Sequence, residues 1–229
     1  MRLPSRLPRR LVNLYVGLVA YGVSMALLLH SSLGNMPWDV LHQGIAERVP
    51  LSLGAVTVVV GALVLLAWVP LRERPGLGTV SNVVVIGVVV DAGLAVLPEP
   101  AAWGWRIAFA VTGIALNAVG TALYIGARLG PGPRDGLMTG IVRRTGWSVR
   151  WVRTSIEVAV VATGWALGGT LGPATVAYAL LVGPLVHPLL PRLTVPEPVP
   201  AGRGARGELS PGSPVPCGQS PARRGPGSR

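Results

Sequence analysis

Carboxylates and amides embedded in apolar runs are the residues of this chain that could do chemistry. Asp91 lies in the run 78–97 and Glu157 in the run 151–169. A charge at membrane depth is costly, which makes each a candidate for binding a cation or relaying a proton. Asn82 and Asn117 fall near the middle of their runs. An amide there either bonds across helices or lines a polar path. A third group is Asp39 and Asp135, in Pro37-Trp38-Asp39 and Pro133-Arg134-Asp135. Proline suits the first helical position, so each aspartate falls in a first turn, at the positive end of the helix dipole. These two motifs read either as capped short helices that close each mouth of a bundle, or as gates and walls of a site. In the second reading the aspartates titrate or bind cations. Plainer roles stand beside each candidate. Glu157 has Arg153 one turn earlier for an ion pair. Asp91 is six residues before Leu97 and within reach of interfacial water. His187, between Pro184 and Pro188, reads as a hydrogen-bonded interface histidine before it reads as a ligand.

The elements that position these residues are given by an internal repeat. Shifted by 96 positions, residues 11–97 fall on 107–193 without a gap, with 23 identities in 87 pairs. So biased a composition would give roughly one in ten by chance. Nine of the identities lie within 33–52, so shared hydrophobicity is not their cause. Gly34, Pro37, Asp39 and Gly44 pair with Gly130, Pro133, Asp135 and Gly140, whereas Trp38 pairs with Arg134. Gly34 and Gly130 suit a sharp turn. Gly44 and Gly140 suit close packing against another backbone. The acids Asp91 and Glu157 are not duplicated, for their counterparts are His187 and Gly61.

The chain is half hydrophobic and 13% charged, with a mean hydropathy of +0.55. A soluble domain carries about 25% charged residues. This is therefore an integral membrane protein, in contact with a lipid bilayer. Six runs are long enough to span: roughly 11–29, 53–71, 78–97, 107–127, 151–169 and 172–191. The first is too long for a signal-peptide core and reads as a retained helix. The segment from Pro37 to Arg48 covers about 18 Å as helix and is too short to cross. Arginine sets the orientation. Arg2, Arg6, Arg9 and Arg10 precede the first run, and six arginines against Asp135 fill 128–153. Six spans with both termini cytoplasmic put every arginine-rich stretch inside. Three spans per copy is an odd number, so the second copy enters from the opposite side. The expectation is an all-α polytopic protein with a 3+3 inverted repeat and two short re-entrant or interfacial half-helices.

The expected organisation is a basic cytoplasmic start at 1–10, a three-span unit at 11–97, a linker at 98–106, a second unit at 107–193 and a tail at 194–229. The tail has 15 Gly and Pro among 36 residues, too little apolar surface to offset ordering. Cys217 in that tail has no partner for an internal disulfide. Most tryptophans, Trp38, Trp68, Trp103, Trp105, Trp147 and Trp151, fall at run edges as an aromatic belt. No nucleophile elbow, P-loop or zinc-protease motif occurs, and the three histidines lack metal spacing. The reading is of no enzyme, no cofactor and no metal. The net charge of +11 reflects membrane orientation and no nucleic-acid partner.

Leu33-Gly34 through Pro37-Trp38-Asp39 to Gly44-Ile45, with Ser52-x-Gly54, Gly76-x-Gly78-Thr79, Asn82 and Asp91, resemble the YczE/YitT-type bacterial membrane proteins. The resemblance covers about 11–193. It implies a bacterial inner-membrane location and supplies neither a substrate nor catalytic residues. The second copy departs at Arg134 and Tyr178. Duplicated halves and intramembrane acids point to a small-solute or ion-coupled carrier with its site between the repeats. A short chain with little polar lining and a basic inner face points instead to a non-transporting regulator of a cytoplasmic partner, or to a homodimer. A water-accessible cavity touching Asp91, Asn82 or Glu157 separates the two.

Overall fold

The computed structural model describes residues 6–196. The extreme N-terminus and the tail from 197, with Cys217, lie outside the described residues. Eight helices follow one another: α1 Leu7–Ser31, α2 Pro37–Ala46, α3 Leu53–Leu71, α4 Leu77–Val96, α5 Trp103–Gly126, α6 Pro133–Thr145, α7 Val149–Ala166 and α8 Pro173–Leu193. Their starts keep the spacing of the sequence repeat, and local signals explain why. Pro37 and Pro133 open α2 and α6. Ser52 and Ser148 cap α3 and α7 by accepting from Ala55 N and Trp151 N. Thr79 and Thr175 accept from the backbone N–H of Gly76 and Gly172 at 3.1 and 3.4 Å.

Five helices, α1, α3, α4, α5 and α8, are long and apolar enough to cross a membrane. The sequence had suggested six. The remaining candidate, α7, has 18 residues and carries Arg150, Arg153 and Glu157 within them. Those charges remove it from the set that length and apolarity alone define. The ten residues of α2 and thirteen of α6 reach about 15 and 20 Å, short of the roughly 30 Å of hydrocarbon.

The centre of the bundle is the crossing of α1 and α5. A Cβ on Gly17 would sit 2.8 Å from the carbonyl oxygen of Gly120, and one on Gly113 3.2 Å from that of Ser24. Small residues therefore bring the two backbones together. Leu14, Leu18, Met25 and Leu28 of α1 are almost fully buried there, with Ile114 and Tyr124 of α5. Helix α4 lies against α1, and α8 against α5.

The short helices exchange partners. Helix α2 packs on α7 and α6 packs on α3. A Cβ on Gly164 would lie 2.5 Å from Leu41 N, and Gly44 is pressed against the carbonyl of Gly164. On the other side Trp68 of α3 is buried against Gly136. Its indole donates to the Pro133 carbonyl at 3.0 Å, so it is a structural anchor and no part of an aromatic belt. The turns before α2 and α6 bind reciprocally. Gly78 N donates to Leu33's counterpart Leu129 at 2.9 Å, and Ala174 N donates to Leu33 at 3.0 Å. Gly34 and Gly130 hold φ of 116° and 131° in these turns, a region where a side chain is strained.

Candidate functional site

The ends of α2 and α6 that carry the Pro-x-Asp motifs face each other beside a cavity of about 410 Å³. Trp38 and Arg134, paired by the sequence repeat, are stacked, with the guanidinium carbon 4.9 Å from the ring centroid. Arg134 also reaches Tyr21 Oη at 3.4 Å and Asp39 Oδ1 at 3.5 Å. Asp39 is 1% exposed. Its other near neighbour is His42 Nδ1 at 3.5 Å, which lies 3.3 Å from Thr57 Oγ1. Neither Asp39 oxygen accepts a hydrogen bond among the described residues. The sequence offered Asp39 as a cap, yet it serves as a loosely held counter-charge. Burial lowers the His42 pKa, with Asp39 pulling the other way and the positive field of Arg134 adding to the lowering, which favours the neutral ring.

Asp135 sits differently. Tyr124 Oη donates to its Oδ2 at 3.1 Å. Burial raises its pKa above the ordinary carboxylate value, opposed by the Tyr124 hydrogen bond and by Arg134. Asn117 is fully buried. It donates to Ser24 Oγ at 3.0 Å and accepts from Tyr178 Oη at 3.0 Å. It thus ties α1, α5 and α8 together without itself lining the cavity. Asn82 and its repeat partner Tyr178 both line the cavity. Glu157 lines it as well and is paired with Arg153 at 2.9 Å, the i, i+4 partner that spacing had offered. Asp91 does not line it. Its carboxylate accepts from Ser52 Oγ at 2.6 Å and Gly54 N at 2.7 Å, and so fastens α4 to the first turn of α3.

Of the half-helix residues, Pro37, Trp38 and Pro133 line the cavity. Gly44 and Gly140 pack away from it, against Gly164 and Leu71. Arg134, Tyr21, Tyr124, Tyr178 and His42 are the site groups that the sequence reading passed over. A signal existed for Tyr21, a phenol in mid-span away from the interfacial belt, which needs a polar partner; Tyr124 and Tyr178 lie near the ends of their helices and carried none. Among the described residues no group of three His, Cys, Asp or Glu gathers to hold a metal.

Residues 8–190 match a protein family described as "Family of unknown function (DUF6198)". The chain belongs to this family. A Haemophilus influenzae protein named "Uncharacterized protein" is 42% identical over 123 residues, which is 54% of this chain and 56% of that one. The Bacillus subtilis "Uncharacterized membrane protein YczE" is 34% identical over 137 residues, 58% of this chain and 63% of its own length. The YczE-type resemblance read from the Pro-Trp-Asp motif is thereby shown. A second Bacillus subtilis protein, "Uncharacterized protein YyaS", is 25% identical over 127 residues, 53% of this chain and 63% of its own. The chain thus spans a little over half the length of the curated relatives it matches. No solved structure matches it.

Proposed function

We propose that the chain is a small-solute carrier whose site is the cavity between two inverted three-span repeats, without catalytic activity of its own. In this reading α7 is the sixth span, its Arg153–Glu157 pair lowering the cost of crossing. The protein sits in the bacterial cytoplasmic membrane with both termini inside. The matched helix starts and the reciprocal bonds of Leu33 and Leu129 support the repeat.

One observation carries the carrier reading: the two halves are in different states around the same cavity. The α3–α4 seam is shut. Gly87 lies where a Cβ would be 2.7 Å from the Gly54 carbonyl oxygen, and Asp91 latches Ser52 beside it. The counterpart seam between α7 and α8 is open. A Cβ on Gly183, the counterpart of Gly87, would meet nothing within 4 Å, and Glu157 and His187 both line the cavity. Exchanging the two conformations would shut the second seam and open the first. That is alternating access by repeat exchange. With the proposed topology the present state opens inward. The cavity touches Asn82 and Glu157, as a carrier needs and a packed regulator does not.

A single cysteine at Thr121, a cavity-lining residue, in a Cys217→Ser background tests this. A membrane-impermeant maleimide should reach it from either side, in intact cells and in inverted vesicles. Reaction from one side alone would leave the non-transporting regulator as the better reading.

A further inference from the structure

Arg134 is a cation with unused capacity. A guanidinium has five N–H donors in a flat fork suited to a carboxylate. Here its contacts are two long ones, to Tyr21 at 3.4 Å and Asp39 at 3.5 Å, and one stacked face on Trp38. It lines the cavity, whereas Asp39 is buried behind it. The other cation on the wall, Arg153, is already held by Glu157 at 2.9 Å. Asp135 is taken by the Tyr124 hydroxyl. We propose that the cavity binds a small organic carboxylate on Arg134, and that one proton enters on Asp39 with each anion bound. The inference rests on reading the cavity as the carrier's site, and names its substrate class and coupling ion.

The stoichiometry follows from burial. Asp39 has both oxygens buried and no hydrogen bond to hold its charge among the described residues. One full cation, Arg134, stands against that charge at 3.5 Å, with the His42 ring beside it. The titratable or charged groups facing it are His42 on its own helix, Arg134 on α6, Tyr21 on α1 and Tyr178 on α8. Arg134 is the only permanent cation of the four. When a ligand carboxylate draws the guanidinium forward, Asp39 keeps no full positive neighbour. A buried carboxylate in that position neutralises by taking a proton. The route is built in: His42 lines the cavity and stands 3.5 Å from the Asp39 oxygen. Charge balances, since one anion and one proton enter together and the Arg134–Asp39 charges are otherwise unchanged. Val60, Val64 and Ile86 on the cavity wall, with the Trp38 ring, favour an apolar or aromatic body on the ligand over a bare inorganic anion.

The test is calorimetry of the full chain in detergent with benzoate, and with benzamide as its neutral isostere. Repeating it in buffers of different ionisation heat counts the protons exchanged. Benzoate should bind with close to one proton taken up, and benzamide should not bind. The affinity should fall about tenfold per pH unit where uptake is complete. Arg134→Gln should abolish binding. Asp39→Asn should bind benzoate with no proton uptake and no pH dependence. Should that variant fail to fold, benzenesulfonate, which stays ionised throughout, replaces it: uptake by the wild type then places the proton on the protein. Equal binding of benzoate and benzamide would overturn the proposal. So would binding without proton exchange, or no benzoate binding to folded protein at tens of millimolar. Proton uptake that persists in Asp39→Asn would overturn it too, since the ligand would then enter as the neutral acid. Carboxylate binding with proton uptake, but with Thr121→Cys reached from one side only, would keep the anion site and remove the carrier.

Discussion

Gly87 and Gly183 are the same residue of the repeat, and the structure gives them opposite fates. Alanine at each measures whether the two seams differ. At 87 the new methyl would meet the Gly54 carbonyl oxygen at 2.7 Å and Val58 Cγ2 at 2.5 Å. The valine can turn, but the carbonyl belongs to the α3 backbone, so α3 and α4 must separate by several tenths of an ångström. Overpacking of this kind costs about 1–3 kcal/mol. Alanine recovers about 1 kcal/mol over glycine inside a helix, leaving a net loss of about 0–2 kcal/mol. The same displacement strains the Asp91 bonds to Ser52 and Gly54, which pushes the loss to the upper end. At 183 nothing lies within 4 Å, so only the propensity gain of up to about 1 kcal/mol remains. The assay is the thermal midpoint of the detergent-solubilised protein, read by the monomer peak on size exclusion after heating. Gly87→Ala should melt lower than wild type and Gly183→Ala at or above it. A matching drop at both sites would show that the α7–α8 seam is shut in the protein, and would remove the argument from unequal halves. No drop at either would show that α3 and α4 are not in close contact.

Asp91→Asn should lower the same midpoint by the equivalent of about 1–3 kcal/mol, because a charge-assisted latch to the exposed Ser52 hydroxyl and the buried Gly54 N–H is lost; an unchanged midpoint would return Asp91 to the list of transport candidates. Trp68→Phe should destabilise to a similar degree, since the Pro133 carbonyl loses its indole donor, and hydrogen exchange of α6 should rise with it. For Asp135, burial raises the pKa in the folded state, so the cost of its charge is absent at acid pH and grows as pH rises through the raised value. Asp135→Asn should therefore match or exceed wild-type stability near pH 7 and lose that advantage as pH falls; the reverse trend would mean that the Tyr124 bond outweighs burial. Cysteines at 72 and 143 should react from inverted vesicles and not from intact cells, and labelling of position 143 from outside would reverse the proposed topology.

The positions of the helices were legible because each start has its own local signal. Pro37, Ser52 and Gly76 with Thr79 recur as Pro133, Ser148 and Gly172 with Thr175, and each acts within a turn of itself. The crossing at Gly17 and Gly120 went unread, because nothing local to either glycine says which helices meet there. Little of the site was legible either, because its bonds join residues remote in the chain. Asp91 was visible as an unusual acid, but its partners lie 37 and 39 residues away on α3. Arg134 was visible as the point where the second motif departs from the first. Only the meeting of α2 and α6 places it on Trp38, and turns a mismatch into a stacked pair. The sequence and the structure part at α7: the run 151–169 is long enough to span, yet Arg150, Arg153 and Glu157 keep α7 out of the five helices apolar enough to cross.

The exchange of α2 onto α7 and of α6 onto α3 bears on biogenesis. The ribosome releases α1 to α4 before either α6 or α7 exists. Until then the glycine face of α2 and the Trp68 surface of α3 have no protein to cover them. A nascent half-chain is therefore an unfinished object in the bilayer, whose missing neighbours come only with the second half of the chain. Co-expressed as two pieces cut in the 97–102 connection, the halves hold all the complementary surfaces needed to find each other. Expressed singly, each leaves those seams without their partner helices.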